Sequence, residues 1–163
     1  YVMPGWYDIK GLDMKDKNDR EGAEESRAIV ESIINEQMDK GIPAGNIILA
    51  GFSQGGAVSY YTALRSQHRI AGVLAMSTYL LFPEQAETEQ SGVNQGVPIF
   101  ASHGTQDGVV PLALGQNAAE KVKDLGYEVT WKTYAMEHEV NLEQIKDIGA
   151  WINTVFEKSV DKE

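Results

Sequence analysis

The apolar run Ile47-Ile48-Leu49-Ala50 gives way at once to Gly51-Phe52-Ser53-Gln54-Gly55, and then to a small-residue helical pattern opening with Gly56-Ala57. A chain passes from strand to helix within so few residues only if the positions around the turn are small enough not to clash, and glycine supplies that on both sides of Ser53. Such a turn holds its serine in a strained backbone conformation with the hydroxyl projecting outward, which makes Ser53 the candidate nucleophile. It also lets the new helix lie close against a sheet. Gly51, Ser53 and Gly56 nearly spell a dinucleotide-binding fingerprint, but Ser53 replaces the glycine that admits the pyrophosphate. No Asp or Glu follows between Ala71 and Ser77 to hold a ribose, so nucleotide binding is set aside.

The pattern on either side of the turn predicts alternating helices and strands. Asn18 with Glu21 reads as a capping box opening a long helix whose apolar face runs through Val30, Ile33, Ile34, Gln37 and Met38, stopped by Gly41 and Pro43. A strand over Ile47 to Gly51, a helix over Gln54 to Ser66 and a buried strand over Ile70 to Met76 follow. Thr78 to Gly96 is a polar connection after Leu80-Leu81-Phe82-Pro83. Val97 to Ser102 is a further strand with its proline near the start. Pro111 opens a helix faced by Leu114, Ala118, Val122 and Leu125 and ended by Gly126, and Glu128 to Tyr134 alternates as a strand. Asn141 and Gln144 cap a final helix with Ile145, Ile148, Gly149, Ile152, Val155 and Phe156 on one side, and the charged tail Glu157 to Glu163 is expected to fray. With no repeat and no linker, the expectation is a single α/β domain over residues 1–163, a mostly parallel sheet covered by helices on both faces. The chain opens in mid-pattern at Tyr1, with Val2 to Tyr7 reading as the end of a strand and a loop, so something upstream is expected to be missing.

At 163 residues the chain is long enough to bury a real core. Its net charge of −10, without a Lys/Arg cluster, makes nucleic acid and anionic membranes poor partners and a neutral or cationic small substrate a better one. The absence of cysteine removes thiolate metal sites and a Cys nucleophile. No apolar run approaches the roughly twenty residues of a membrane span, and no signal peptide opens the chain, so a cytoplasmic location is expected.

A serine hydroxyl is a weak nucleophile at neutral pH and needs a base, which in turn needs a partner to fix its tautomer. Of three histidines, His68 lies in the polar connection Arg65-Ser66-Gln67-His68-Arg69 and reads as a surface residue. His103 follows directly on a strand, where hydrogen bonding within the turn accounts for it. His138 falls between the last strand and the last helix, the better position for a base. Ligands in open parallel sheets collect beyond the carboxyl ends of the strands, and Ser53, Asp107 and His138 each follow a different predicted strand there. Asp107 is the candidate orienting acid, its simpler alternative being an Asx-turn before Gly108; Glu137 and Glu139 flank the base as rival partners. His138-Glu139 lacks a second histidine at ligand spacing, so no metal and no cofactor are implied. The backbone N–H of Gln54 is the expected oxyanion donor, and Val109 and Leu81, apolar in predicted loops, are candidates for lining an acyl pocket.

These residues together resemble the phospholipase/carboxylesterase family, which includes bacterial carboxylesterases and acyl-protein thioesterases. The similarity is carried by Trp6-Tyr7-Asp8-Ile9, by Asn46 through Gly56, by Leu74 through Leu80, by Pro98-Ile99-Phe100 with His103-Gly104 and Asp107, by Val110-Pro111, and by Met136, His138, Glu139 and Val140. It implies an α/β-hydrolase fold, a Ser53-Asp107-His138 triad, and hydrolysis of carboxylic esters of short to medium acyl chains through an acyl-enzyme. The alternatives it leaves are an acyl-protein thioesterase or lysophospholipase, or a non-catalytic truncated homologue. The partner it implies is a small ester or thioester substrate, with a homodimer as the assembly to test. Members of the family carry near their start a strand and a His-Gly loop that completes the oxyanion hole. No such segment precedes Gly51, so the N-terminal strands and half of that hole are expected to lie outside these 163 residues.

Overall fold

The computed structural model describes residues 5–6 and 17–160. Its frame is a four-stranded, wholly parallel sheet in the order β1-β2-β3-β4, with β1 Ile48–Phe52, β2 Gly72–Met76, β3 Pro98–Gly104 and β4 Glu128–Tyr134. The helices are α1 Lys17–Asp39, α2 Gln54–Arg65, the single turn α3 Ala86–Glu89, α4 Leu112–Asp124 and α5 Leu142–Val160.

Side chains alternate across each strand, and the two sets meet different helices. Leu49, Val73, Ala75, Ile99 and Ala101 join Ile34 of α1, Tyr60 and Leu64 of α2, and Ala118 and Val122 of α4 in one continuous core. On the opposite face Phe100 meets Trp151 of α5, their ring centroids 5.9 Å apart. Gly72 leaves room for that indole, since a methyl group there would stand 3.0 Å from it. The expected two-faced α/β arrangement is therefore present. Truncating Phe100, which is 2% exposed, would cost about 3–5 kcal/mol by the usual penalty for emptying an aromatic core site.

Several expectations need correction. The inward face of α1 is Ala23, Ser26, Val30, Ile34 and Gln37, spaced by three and four, whereas Ile33 and Met38 face solvent. The helix is already under way at Lys17, and the Asn18 side chain lies outside the described residues, as do Val2 to Pro4, the block Tyr7 to Ile9 and the tail from Asp161. Glu157 to Val160 belong to α5 rather than to a frayed end. The inner stripe of α5 is Gln144, Ile148, Trp151 and Val155, while Ile145 is half exposed. The polar connection after β2 is tied down at α3, where Glu89 accepts from Arg20 of α1 and from buried Arg65 of α2, at 2.5 and 2.7 Å.

Candidate active site

Ser53 occupies the single-residue turn between β1 and α2 with φ 56° and ψ −120°, a conformation that L-residues adopt only under constraint. The constraint is visible in its backbone bonds. Its N–H donates to the Met76 carbonyl at 2.9 Å, and its own carbonyl accepts from the Gly56 and Ala57 amides and from Thr78 Oγ1, the last at 2.6 Å. The space around the turn is fully used: a Cβ on Gly51 would lie 2.1 Å from the Gly55 carbonyl carbon, and one on Gly56 would lie 2.6 Å from Thr78 Cγ2. Gln54 follows as the first residue of α2, so its N–H points from the helix N-terminus beside Ser53. The Gln54 side chain accepts from the Trp6 N–H at 3.2 Å.

The other two candidates leave the ends of β3 and β4, and close backbone contact brings them together. Beyond the ladder pair Gly104↔Tyr134, the Thr105 N–H donates to the Tyr134 carbonyl at 2.8 Å and the Gln106 N–H to the Met136 carbonyl at 3.0 Å. Gly104 makes this possible, because a Cβ there would lie 2.3 Å from both the Met136 and Glu137 carbonyl oxygens. Stitched in this way, the loops set His138 Nδ1 2.7 Å from Asp107 Oδ2. Asp107 Oδ1 accepts from the Val109 and Val110 amides at 2.9 and 2.8 Å. The Asx-turn and the contact with His138 thus coexist, one on each oxygen. Glu137 and Glu139 are exposed.

The Asp107 side chain is fully buried, and the His138 side chain is 17% exposed. Burial alone would push the Asp107 pKa up, but the hydrogen bonds from His138 and from the amides of Val110 and Val109 outweigh it and hold the carboxyl below its ordinary value. The acceptor at Nδ1 is therefore a carboxylate. It fixes the imidazole with its proton on Nδ1 and leaves the Nε2 lone pair available to accept one. The His138 ring packs on Phe52, the residue before Ser53, at 4.7 Å between centroids. A strained serine thus follows β1, while a histidine and the buried carboxylate bonded to it follow β4 and β3, all three beyond the carboxyl ends of the strands.

The remaining predicted positions divide. Val109 is 65% exposed beside the acid, whereas Leu81 is 1% exposed and packed with Ala57, Tyr61 and Val110, so in this structure it offers a substrate no surface. His68 lies at the periphery, its Nε2 3.0 Å from Asn35 Oδ1. Two supports escaped the sequence reading. Gln144, expected as part of a cap, donates its backbone N–H to Asn141 Oδ1, but its side chain turns inward and donates to Ser102 Oγ at 2.8 Å. His103 makes the turn hydrogen bond expected of it, with Nε2 2.9 Å from the Val110 carbonyl oxygen, but its complete burial beneath Asp107 was not foreseen. Gln144 carries no sequence signal that separates it from an ordinary helix position, and His103 enters the family resemblance with no role attached to its side chain.

The family model described as Phospholipase/Carboxylesterase matches residues 1–156. Acyl-protein thioesterase 1 of Emericella nidulans is 38% identical over 165 residues, covering 94% of this chain and 69% of that protein. Among solved structures, Arabidopsis thaliana SOBER1 superimposes with a TM-score of 0.84 at 27% identity, covering 96% of this chain and 76% of that one. Esterase PE8 does so with a TM-score of 0.80 at 25% identity, covering 92% and 69%.

Proposed function

Because this chain belongs to the phospholipase/carboxylesterase family, a family of α/β-hydrolases, we propose that it is a serine hydrolase that cleaves carboxylic esters through an acyl-enzyme. The observation that carries this reading is the 2.7 Å contact between His138 Nδ1 and buried Asp107, set against a serine held at φ 56° on a strand-to-helix turn. In the first step the Ser53 Oγ attacks the acyl carbon while His138 Nε2 takes the hydroxyl proton. The oxyanion that forms accepts from the Gln54 N–H, and the imidazolium is stabilised by the Asp107 carboxylate. Collapse breaks the bond to the leaving group, which departs with the proton from His138. Water then gives up a proton to His138 and attacks the acyl-enzyme; collapse returns that proton to Ser53 and releases the carboxylic acid.

The test is labelling with a fluorophosphonate, located by peptide mass spectrometry, alongside turnover of a series of nitrophenyl esters. Stoichiometric labelling at Ser53 that vanishes in Ser53→Ala is expected. A folded chain that neither labels nor turns over these esters would overturn the proposal. A second reading, thioester cleavage on acylated proteins, is favoured by the name of the Emericella nidulans relative. It predicts a higher kcat/KM for an S-acylated peptide than for its oxygen-ester counterpart. Val109 is the proposed acyl contact, and Val109→Trp should then shift the preferred acyl length; an unchanged length profile rules it out.

A further inference from the structure

His103 has no part in the proton transfers above, yet it is built into their foundation. Its side chain is completely buried, and its Nε2 lies 2.9 Å from the Val110 carbonyl oxygen. A carbonyl only accepts, so Nε2 is the donor there, and Nδ1 is left as the second ring nitrogen. That second nitrogen is buried with no partner among the described residues. It faces Gly115 of α4 so closely that a Cβ there would stand 2.3 Å from it. The same Nε2 is 3.4 Å from Asp107 Oδ2, the oxygen that receives His138. Trp131 of β4 flanks the ring at 6.2 Å between centroids.

We propose that His103 is a positioning residue whose Nε2–H, by holding the Val110 carbonyl, closes the turn that aims Asp107 at His138. Three bonds define that turn. The Val109 and Val110 amides hold Asp107 Oδ1, and the His103 N–H holds the far side of the same residue 110. Removing the imidazole donor leaves the carbonyl of a 4%-exposed residue without its partner and frees the turn to drift. Oδ2 then no longer lies at hydrogen-bonding distance from the base. The inference concerns the acid–base pair itself and rests on the proposed hydrolase reading only for its kinetic consequence.

The amide nitrogen of a glutamine at 103 falls near the place of Nε2, and that of an asparagine near the place of Nδ1. His103→Gln should therefore retain kcat within about threefold, whereas His103→Asn should lose roughly a hundredfold in kcat with KM little changed, as a 1 Å misplacement of a catalytic group does. The low-field proton resonance of His138 Nδ1–H, read by NMR without any substrate, should persist in the first variant and vanish in the second. Nitrogen shifts of the wild-type chain should place the His103 proton on Nε2. Should His103→Asn fail to fold, Gly115→Ala, which presses on the ring from behind, should reproduce both losses. Equal behaviour of the Gln and Asn variants, a proton on Nδ1 of His103, or a loss of kcat with the His138 resonance intact would each overturn the inference. A wild-type chain that never labels or turns over esters defeats the hydrolase reading alone, because the resonance still decides the role of His103.

Discussion

Replacing Gly104 by alanine tests whether the loops carrying Asp107 and His138 are held together by backbone contact. The added Cβ would sit 2.3 Å from the carbonyl oxygens of Met136 and Glu137 and 2.9 Å from the Met136 carbonyl carbon, all of them main-chain atoms that cannot rotate away. Ordinary contact begins near 3.4 Å, so the segment carrying His138 must retreat by the difference, about 1.1 Å (3.4 − 2.3). If that movement is taken up along the His138–Asp107 vector, the 2.7 Å hydrogen bond opens to about 3.8 Å, beyond bonding range. A displacement of this size at a catalytic group costs on the order of a hundredfold in rate, and overpacking adds roughly 1–3 kcal/mol of destabilisation. Nitrophenyl ester hydrolysis per fluorophosphonate-titrated site, with urea unfolding in parallel, reads both. Gly149→Ala is the control: nothing lies within 4 Å of a Cβ there, and a helix-interior site should gain about 0.5–1 kcal/mol. Wild-type turnover and stability in Gly104→Ala would refute the argument that these loops meet through their backbones.

Three other outcomes are expected. Gln144→Leu should destabilise the fold by about 1–3 kcal/mol, because Ser102 Oγ is left buried and unpaired, and adding Ser102→Ala should recover part of the loss in a double-mutant cycle followed by urea unfolding. Asp107 has a depressed folded-state pKa, so its ionised form contributes stability above the unfolded carboxyl value of 3.8, and that contribution fades as pH falls through the lower folded value. The difference in unfolding free energy between the wild type and Asp107→Asn should thus be flat above about pH 5 and shrink below about pH 4. Ser53→Gly should abolish fluorophosphonate labelling yet raise stability by about 1 kcal/mol by relieving the strained turn, whereas Ser53→Ala should abolish labelling without that gain.

Much of this architecture is legible in the sequence because local pattern and tertiary environment agree. Glu128 to Tyr134 alternates and is a strand over those residues, and Ser53 sits at the end of β1 because only glycine-flanked residues survive such a turn. Legibility fails where a polar residue is buried against a main-chain group. β3 continues to Gly104 because His103 and Gly104 pair with Thr133 and Tyr134, but an imidazole at a strand end looks like a loop until its carbonyl partner is known. Gln144 fits a helix cap equally well whether its side chain turns back or inward, and only the approach of Ser102 from β3 selects the second. Leu81 looks like a loop residue open to substrate because periodicity cannot foresee that α2 covers it.

Val109 offers a practical route into the site. Its amide is committed to Asp107, while its side chain is 65% exposed, so the chemistry of the main chain and that of the side chain are separable at this one position. The sequence contains no cysteine, and Val109→Cys would therefore introduce the molecule's single thiol. An environment-sensitive fluorophore attached there would sit beside the acid while leaving Ser53, Asp107 and His138 unaltered. If the proposed hydrolase reading holds, its emission would follow acyl groups in real time, turning a backbone clamp into the anchor of an optical sensor.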